Sequence, residues 1–207
     1  MASATGVGFV NSKSDENKLE NVIISTDKEK NSGNGIRLEK ESAVTLKNVK
    51  VTQTGNSIIA NNHSKIIISG ESFDSSYATI CAQNGSSIIL TDNAQITSYD
   101  NSGLYAKDSK STITITGGTM TGNTALFAEK GGHIKATNVI LTAIDSNETT
   151  GVVSQDMGSL VELYGNTTIK NAEIGLYAEN GSTTKMSGGT IIAKKDAFVV
   201  NNNRVLI

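Results

Sequence analysis

Apolar and polar residues alternate in short bursts along almost the whole chain, and each burst is too short for a helix. Residues 103–122 show the pattern most plainly: Leu104-Tyr105-Ala106, then Ile113-Thr114-Ile115, then Met120 after the pair Gly117-Gly118. Residues two apart share a face on a strand, so each burst predicts a strand with one buried side.

The bursts recur. The leading residues of the first strand, Ile36, Ile58, Ile80, Leu104, Leu126, Val152, Leu176 and Phe198, are spaced by 22, 22, 24, 22, 26, 24 and 22 positions. A second strand follows in step, with inward pairs Val44/Leu46, Ile66/Ile68, Ile88/Leu90, Ile113/Ile115, Ile134/Ala136, Val161/Leu163, Thr184/Met186 and Val205/Ile207. A third anchor comes seven or eight residues after each of these: Val51, Phe73, Ile96, Met120, Leu141, Ile169 and Ile191.

This spacing predicts an all-β parallel β-helix with three strands per coil, about 22 residues per coil and about eight coils. Each strand then pairs with its counterpart one coil above and below, at about 4.8 Å. Leucine-rich repeats have a similar length, but their Leu-x-x-Leu-x-Leu signature is missing, and a propeller blade needs about 40 residues. No window carries the 3.6-residue period of a helical repeat.

Residues 1–20 do not follow the repeat and read as an N-terminal cap or flexible leader in which Gly6-Val7-Gly8-Phe9-Val10 is a candidate short strand, with the β-helix over 21–207 and Val22-Ile23-Ile24 as a lone second strand. Terminal repeats of a stacked array are atypical because they close the core. The longer intervals predict a protrusion at 143–150 and a smaller bulge at 98–102, both after the third strand.

Composition narrows this picture. Aromatics are 4% and Trp is absent, so the core must be aliphatic; Pro is absent, as suits a backbone committed to sheet hydrogen bonds. A net charge of −2 gives no electrostatic footprint for nucleic acid or an anionic membrane. The single Cys81 excludes an internal disulfide framework and a cysteine zinc site. No run reaches the ~20 apolar residues of a membrane span. Met1-Ala2-Ser3-Ala4 does not open a signal peptide, so the protein either stays inside or begins after a cleaved leader.

Catalytic chemistry finds no obvious home. Asp74, Asp92, Asp100, Asp108, Asp145 and Asp156 fall at irregular phase, whereas glycan hydrolysis needs two facing carboxylates. His63 and His133 belong to coils that are not adjacent, and there is no Gly-x-Ser-x-Gly, phosphate loop or zinc spacing. Gly70, Gly117, Gly118, Gly188 and Gly189 read as turn residues. The Thr112-Thr114-Thr116 run does not extend into a flat threonine array, because the aligned residues are Ile67, Ile89, Lys135, Glu162 and Lys185. The expectation is a non-enzymatic protein with no catalytic residues, no bound metal and no cofactor.

The middle residue of each first strand should point outward. Coil by coil it is Arg37, Ile59, Cys81, Tyr105, Phe127, Val153, Tyr177 and Val199. Stacked in one column, these predict a continuous exposed apolar stripe. Two readings of it stand: a ladder that steadies neighbouring strands, or a partner site formed by Ile59, Tyr105, Phe127, Val153, Tyr177 and Val199, with the aromatics as anchors.

The phrases Gly-Leu-Tyr-Ala (103–106 and 175–178), Thr-Gly-Gly-Thr-Met (116–120), Ala-Leu-Phe-Ala-Glu-Lys-Gly-Gly (125–132) and Ser-Gly-Gly-Thr-Ile (187–191) carry a resemblance. The chain from 34 to 207 resembles passenger domains of bacterial type V autotransporters, most of all the Bartonella group with its angiogenic members. That resemblance implies a right-handed, three-sided parallel β-helix, and a chain that is secreted or held at the bacterial surface. It also implies a leader and a C-terminal membrane barrel outside this stretch, which ends within a strand at Val205-Leu206-Ile207. The partner it implies is a host cell-surface protein, in the angiogenic members a vascular endothelial growth factor receptor. A general adhesin or structural stalk is the alternative, and a polysaccharide-active β-helix the third.

Overall fold

The structure, a computed structural model, describes residues 5–14, 16–25, 33–70, 72–144, 149–201 and 204–206. Among these residues the strands form a nine-stranded and a fifteen-stranded sheet, both parallel throughout. The first sheet stacks Thr5–Val10, Asn34–Glu39, Asn56–Ala60, Ile80–Gln83, Ser102–Lys107, Thr124–Glu129, Thr150–Gln155, Ile174–Glu179 and Asp196–Asn201. The second carries both other strands of each coil. Ala43–Thr54 joins them by running through the bend, pairing with Lys65–Ser69 on one side of it and Ser72–Ser75 on the other. The architecture is a parallel β-helix with three strands per coil.

The bend between second and third strands uses one left-handed residue in some coils and two in succession in others, as at Asp92-Asn93, Gly117-Gly118 and Gly188-Gly189. Asn21, Asn48, Asn93 and Asn138 take φ of 52 to 60°, and Gly70, Gly117 and Gly165 supply the same turn in the other coils. Asn and Gly enter this region with least steric penalty. The asparagines also stitch coils together: Asn48 Nδ2 donates to Asn21 Oδ1 at 3.0 Å, and the Asn166 N–H donates to Asn138 Oδ1 at 2.9 Å. Gly118, Gly188 and Gly189 also have positive φ, as their reading as turns expects.

Inside, the predicted inward positions form one continuous aliphatic core from Ile36 and Leu38 through Leu104, Ile113, Ile115 and Met120 to Leu176 and Met186. The vertex between third and first strands is narrow and holds only glycine or a small buried residue: Gly35, Ser57, Thr79, Gly103, Ala125, Gly151 and Gly175 in successive coils. A β-carbon on Gly103 would lie 2.8 Å from the Ala125 carbonyl oxygen. The glycine of Gly-Leu-Tyr-Ala is therefore a packing requirement.

The N-terminal stretch is more regular than the sequence reading expects. Thr5–Val10 pairs in register with Asn34–Glu39, setting Val7 beside Ile36 and Phe9 beside Leu38. Lys18–Ser25 pairs with Ala43–Thr54, setting Leu19 beside Leu46 and Ile24 beside Val51. Coil structure thus extends through the described part of 1–20, and a boundary at residue 20 falls inside a strand. Val7, Phe9 and Leu19 explain this, since they pack against the core. At 143–150, Ala143 ends one strand and Thr150 begins the next, while 145–148 lie outside the described residues, as does Ile207. At 98–102 the expected bulge is present, with Tyr99, Asp100 and Asn101 exposed between buried Ser98 and Ser102.

The bend between first and second strands holds a column of buried serines: Ser42, Ser64, Ser86, Ser111, Ser159 and Ser182. The Ser42 N–H donates to Ser64 Oγ at 3.2 Å, and the Ser64 N–H donates to Ser86 Oγ at 3.0 Å. Two of these hydroxyls donate in turn to the carbonyl three residues back, Ser64 Oγ to Asn61 O at 2.6 Å and Ser42 Oγ to Glu39 O at 2.6 Å, while Ser182 Oγ donates to Ser154 O at 2.8 Å. A buried backbone donor left without its acceptor is destabilising by about 1–3 kcal/mol. Ser64→Ala is therefore expected to lower the unfolding free energy by about that amount, against less than about 0.5 kcal/mol for the exposed Ser109→Ala. Urea unfolding followed by circular dichroism measures both.

Candidate functional site

The sheet register places Arg37, Ile59, Cys81, Tyr105, Phe127, Val153, Tyr177 and Val199 in a single column. Its exposure is not uniform. Ile59 and Cys81 are only 8% and 5% exposed, whereas Tyr105, Phe127, Val153, Tyr177 and Val199 are half-buried. The continuous stripe expected from Ile59 onward is thus closed at its lower end. There Arg37 pairs with Glu39, Glu39 accepts from Asn61 Nδ2 at 3.0 and 2.9 Å, and the Cys81 thiol donates to Gln83 Oε1.

Above that point the aromatic rings are tightly organised. Tyr105 and Phe127 stack with centroids 5.2 Å apart and planes inclined by 21°. Offset pairs of this kind add about 0.5–1.5 kcal/mol beyond the area they bury. The Tyr105 hydroxyl donates to Glu129 Oε1 at 2.5 Å, and Lys107 Nζ lies 3.3 Å from the same oxygen. Burial, and then the hydrogen bond to Glu129, raise the Tyr105 pKa well above the usual phenol range. Tyr177 donates to Glu179 Oε2 at 2.9 Å, and that bond, followed by burial, raises its pKa too. The phenols are neutral donors anchored to carboxylates, which leaves apolar ring surface as the exposed part of the column.

A second cluster lies on the outer side of the second strands, where the sequence aligns Lys135, Glu162 and Lys185 without assigning them an interaction. Lys135, Glu162 and Lys185 occupy one register column. Glu162 accepts from Lys185 Nζ at 3.2 Å and from the Tyr164 hydroxyl at 3.1 Å, and His133 Nε2 lies 3.0 Å from its other oxygen. Lys135 Nζ sits 5.2 Å from the Tyr164 ring centroid. Burial pushes the Glu162 pKa up, but the bonds from Lys185, Tyr164 and His133 outweigh it and the net shift is downward. The visible signal was the alternation of sign at this position in successive coils. Its chemistry is that of a cross-strand ion-pair ladder, with His133 engaged rather than standing alone on the surface.

The carboxylates expected to be scattered are so. Asp74 accepts from the Gln53 N–H at 2.8 Å, Asp92 accepts from Ser69, and Asp145 lies outside the described residues. Among the described residues, no three of His, Cys, Asp and Glu gather where they could hold a metal ion.

A family model described as periplasmic copper-binding protein (NosD) matches residues 10–205, essentially the whole stack of coils. The chain belongs to the NosD family. No curated protein and no solved structure matches it. The family's printed description raises copper, and among the described residues the donor set of this NosD-family chain does not fit it. Copper sites draw on thiolate, thioether and imidazole ligands brought together. Cys81 is buried alone, and burial pushes its thiol up to about 12. Met120 and Met186 are packed in the core, Met157 is exposed on a bend, and His133 is engaged by Glu162.

Two outcomes follow. The Cys81 thiol should resist alkylation by iodoacetamide at pH 8 in the native protein and react fully in 6 M guanidinium, because the thiolate is the nucleophile. Glu162, with its folded pKa lowered, contributes stability that is complete above the unfolded carboxylate value of about 4.3 and is lost as pH falls through the folded value. Glu162→Gln should therefore flatten the acid limb of thermal midpoint against pH between about pH 5 and 2. A limb as steep as that of the wild type would show that other carboxylates carry it.

Proposed function

We propose that this chain is an extracytoplasmic, non-enzymatic β-helix that binds a protein on a host cell surface through the outer column of its first face, as the passenger domain of a type V autotransporter. One observation carries the reading: Tyr105, Phe127, Val153, Tyr177 and Val199 stand in register, half-exposed, on a rigid parallel sheet. Aromatic residues dominate binding hot spots, and rings already held by stacking and by Glu129 and Glu179 lose little further freedom when a partner covers them. Ile59, buried beneath this surface, supports the column without offering contact area.

Placement outside the cytoplasm draws on the periplasmic description of the family and on a fold that needs no disulfide. The pro-angiogenic refinement, through a vascular endothelial growth factor receptor, draws on the resemblance of the Gly-Leu-Tyr-Ala and Gly-Gly-Thr phrases to Bartonella passengers. Receptor activation of that kind brings two receptors together, so it requires a second copy or a second face. The same column on an adhesin or stalk would bind cells without signalling. Glycan cleavage would need two facing carboxylates, whereas Asp74 and Asp92 are each engaged by a local donor, the Gln53 N–H and the Ser69 hydroxyl.

Tyr105→Ser, Phe127→Ser and Tyr177→Ser combined, in a variant whose far-ultraviolet circular dichroism matches the wild type, should weaken binding to endothelial cells by at least about 30-fold. Unchanged binding by the folded triple variant would overturn the reading. Receptor phosphorylation measured beside binding separates the signalling ligand from the adhesin.

A further inference from the structure

The repeat is broken at one place on the third face, and the break opens a groove. Val51 pairs with Phe73 and Thr54 pairs with Ser75, so Thr52 and Gln53 together stand opposite Asp74 alone. This is a β-bulge, a feature rare between parallel strands and frequent beside binding sites. Gln53 adopts φ of 58°, a left-handed conformation that side chains other than Gly and Asn seldom accept. Strain of this sort persists only where the surroundings enforce it. Here the enforcement is visible, since the Gln53 N–H is turned onto Asp74 Oδ1 at 2.8 Å.

The groove has a volume of about 450 Å³ and is lined by Lys50, Thr52, Gln53, Asp74, Ser76 and Tyr99, with Ser75 at its floor. Its walls span three coils. Tyr99 is held over the coil below by its N–H, which donates to Ser75 O at 2.9 Å, while the residue itself is 58% exposed. One coil earlier at the same corner Tyr77 is 59% exposed. Ser98 Oγ and Ser75 Oγ both donate to the Tyr77 carbonyl, at 2.5 and 3.0 Å, which fixes the backbone beneath the two tyrosines.

We infer that this groove is a saccharide-binding subsite, in which a sugar ring lies against Tyr99 and its hydroxyls are met by Lys50, Gln53 and Asp74. A pyranose offers an apolar face of C–H groups and a rim of hydroxyls that both donate and accept. The groove offers an exposed aromatic ring, an ammonium donor, a carboxylate acceptor and an amide that does both. Its volume falls within the roughly 300–1,000 Å³ of small-ligand clefts. Tyr77 extends the aromatic surface beyond the groove, so a chain of sugar units fits better than a single one. The scattered carboxylates make this a binding site rather than a hydrolytic one, and it lies on a different face from the Tyr105 column.

Saturation-transfer NMR on the whole chain with cellotetraose, chitotetraose and mannotetraose as separate probes tests the assignment. Transfer to the ring protons of at least one probe is expected. It should fall roughly tenfold in Tyr99→Ala, remain in Tyr99→Phe, and fall in Asp74→Asn, which keeps an acceptor for the Gln53 N–H and removes only the charge. It should be unchanged in the triple serine variant of the first-face column, so this test and that one fail independently. Absence of transfer to all three probes, or transfer undiminished in Tyr99→Ala, overturns the proposal.

Discussion

A parallel β-helix must return the chain to the same register once per coil without stranding backbone hydrogen-bonding groups at its corners. Strand interiors satisfy this automatically, because each pairs with the coils above and below. Corners do not, and a buried corner donor without an acceptor is as destabilising as any polar group left unmatched in a core. The serine column at the first bend answers the constraint. Ser64, Ser86, Ser111 and Ser159 place Oγ where an N–H of the coil beneath needs an acceptor, and Ser42 and Ser64 pass their own hydroxyl protons to a local carbonyl. The left-handed bend at Asn48 solves the same problem at the second corner inside one continuous strand. Together they fix the length of a coil, which is why the interval stays so close to 22.

Once the corners and the core set the register, outward positions are free to differ, and the three faces diverge. The first collects apolar and aromatic side chains, the second alternates Lys135, Glu162 and Lys185, and the third is polar and interrupted by the bulge at Gln53. Side chains stacked at the strand spacing of about 4.8 Å act as rows rather than as individuals. A ring such as Phe127 thus gains a neighbour from the register alone, with no further specification in the sequence around it.

This division explains what the sequence makes legible. Inward pairs such as Ile113/Ile115 announce themselves through a period of two, and the repeat interval assigns them to coils. The first strand at 6–10 is legible as a strand but not as a member of the stack, because the stretch leading from Val7 to Ile36 is longer than the repeat. The serine column is legible in hindsight, since Ser42, Ser64, Ser86, Ser111, Ser159 and Ser182 all fall just before a second strand. Gly132 interrupts it, where a β-carbon would come within 2.2 Å of the Ala106 oxygen. Outward columns are legible in their membership but not in their exposure. Nothing in the alternation of Ile59 and Cys81 reveals that Arg37, Glu39, Asn61 and Gln83 gather into a polar network beside them. The bulge at Gln53 was illegible for a related reason: its additional residue is offset by a stretch from Thr54 to Ile58 that is one residue shorter than its partner from Ser75 to Ile80, so the leading intervals stay at 22.

Membership of the NosD family and the misfit to copper become compatible on the same physical ground. A family model that spans 10–205 covers the inward positions and corners, which the solenoid constrains in every coil. Metal ligands, recognition residues and bulges occupy the outward positions, which the solenoid leaves unconstrained. Descent can therefore preserve the stack while the chemistry on its faces is replaced column by column. Tyr105 illustrates the freedom and its limit. Its ring is held by Phe127 and its hydroxyl by Glu129, interactions that steady the sheet with or without a partner. The same restraints fix ring surface at the protein's edge in a single orientation, so what stabilises the column also preorganises it for contact.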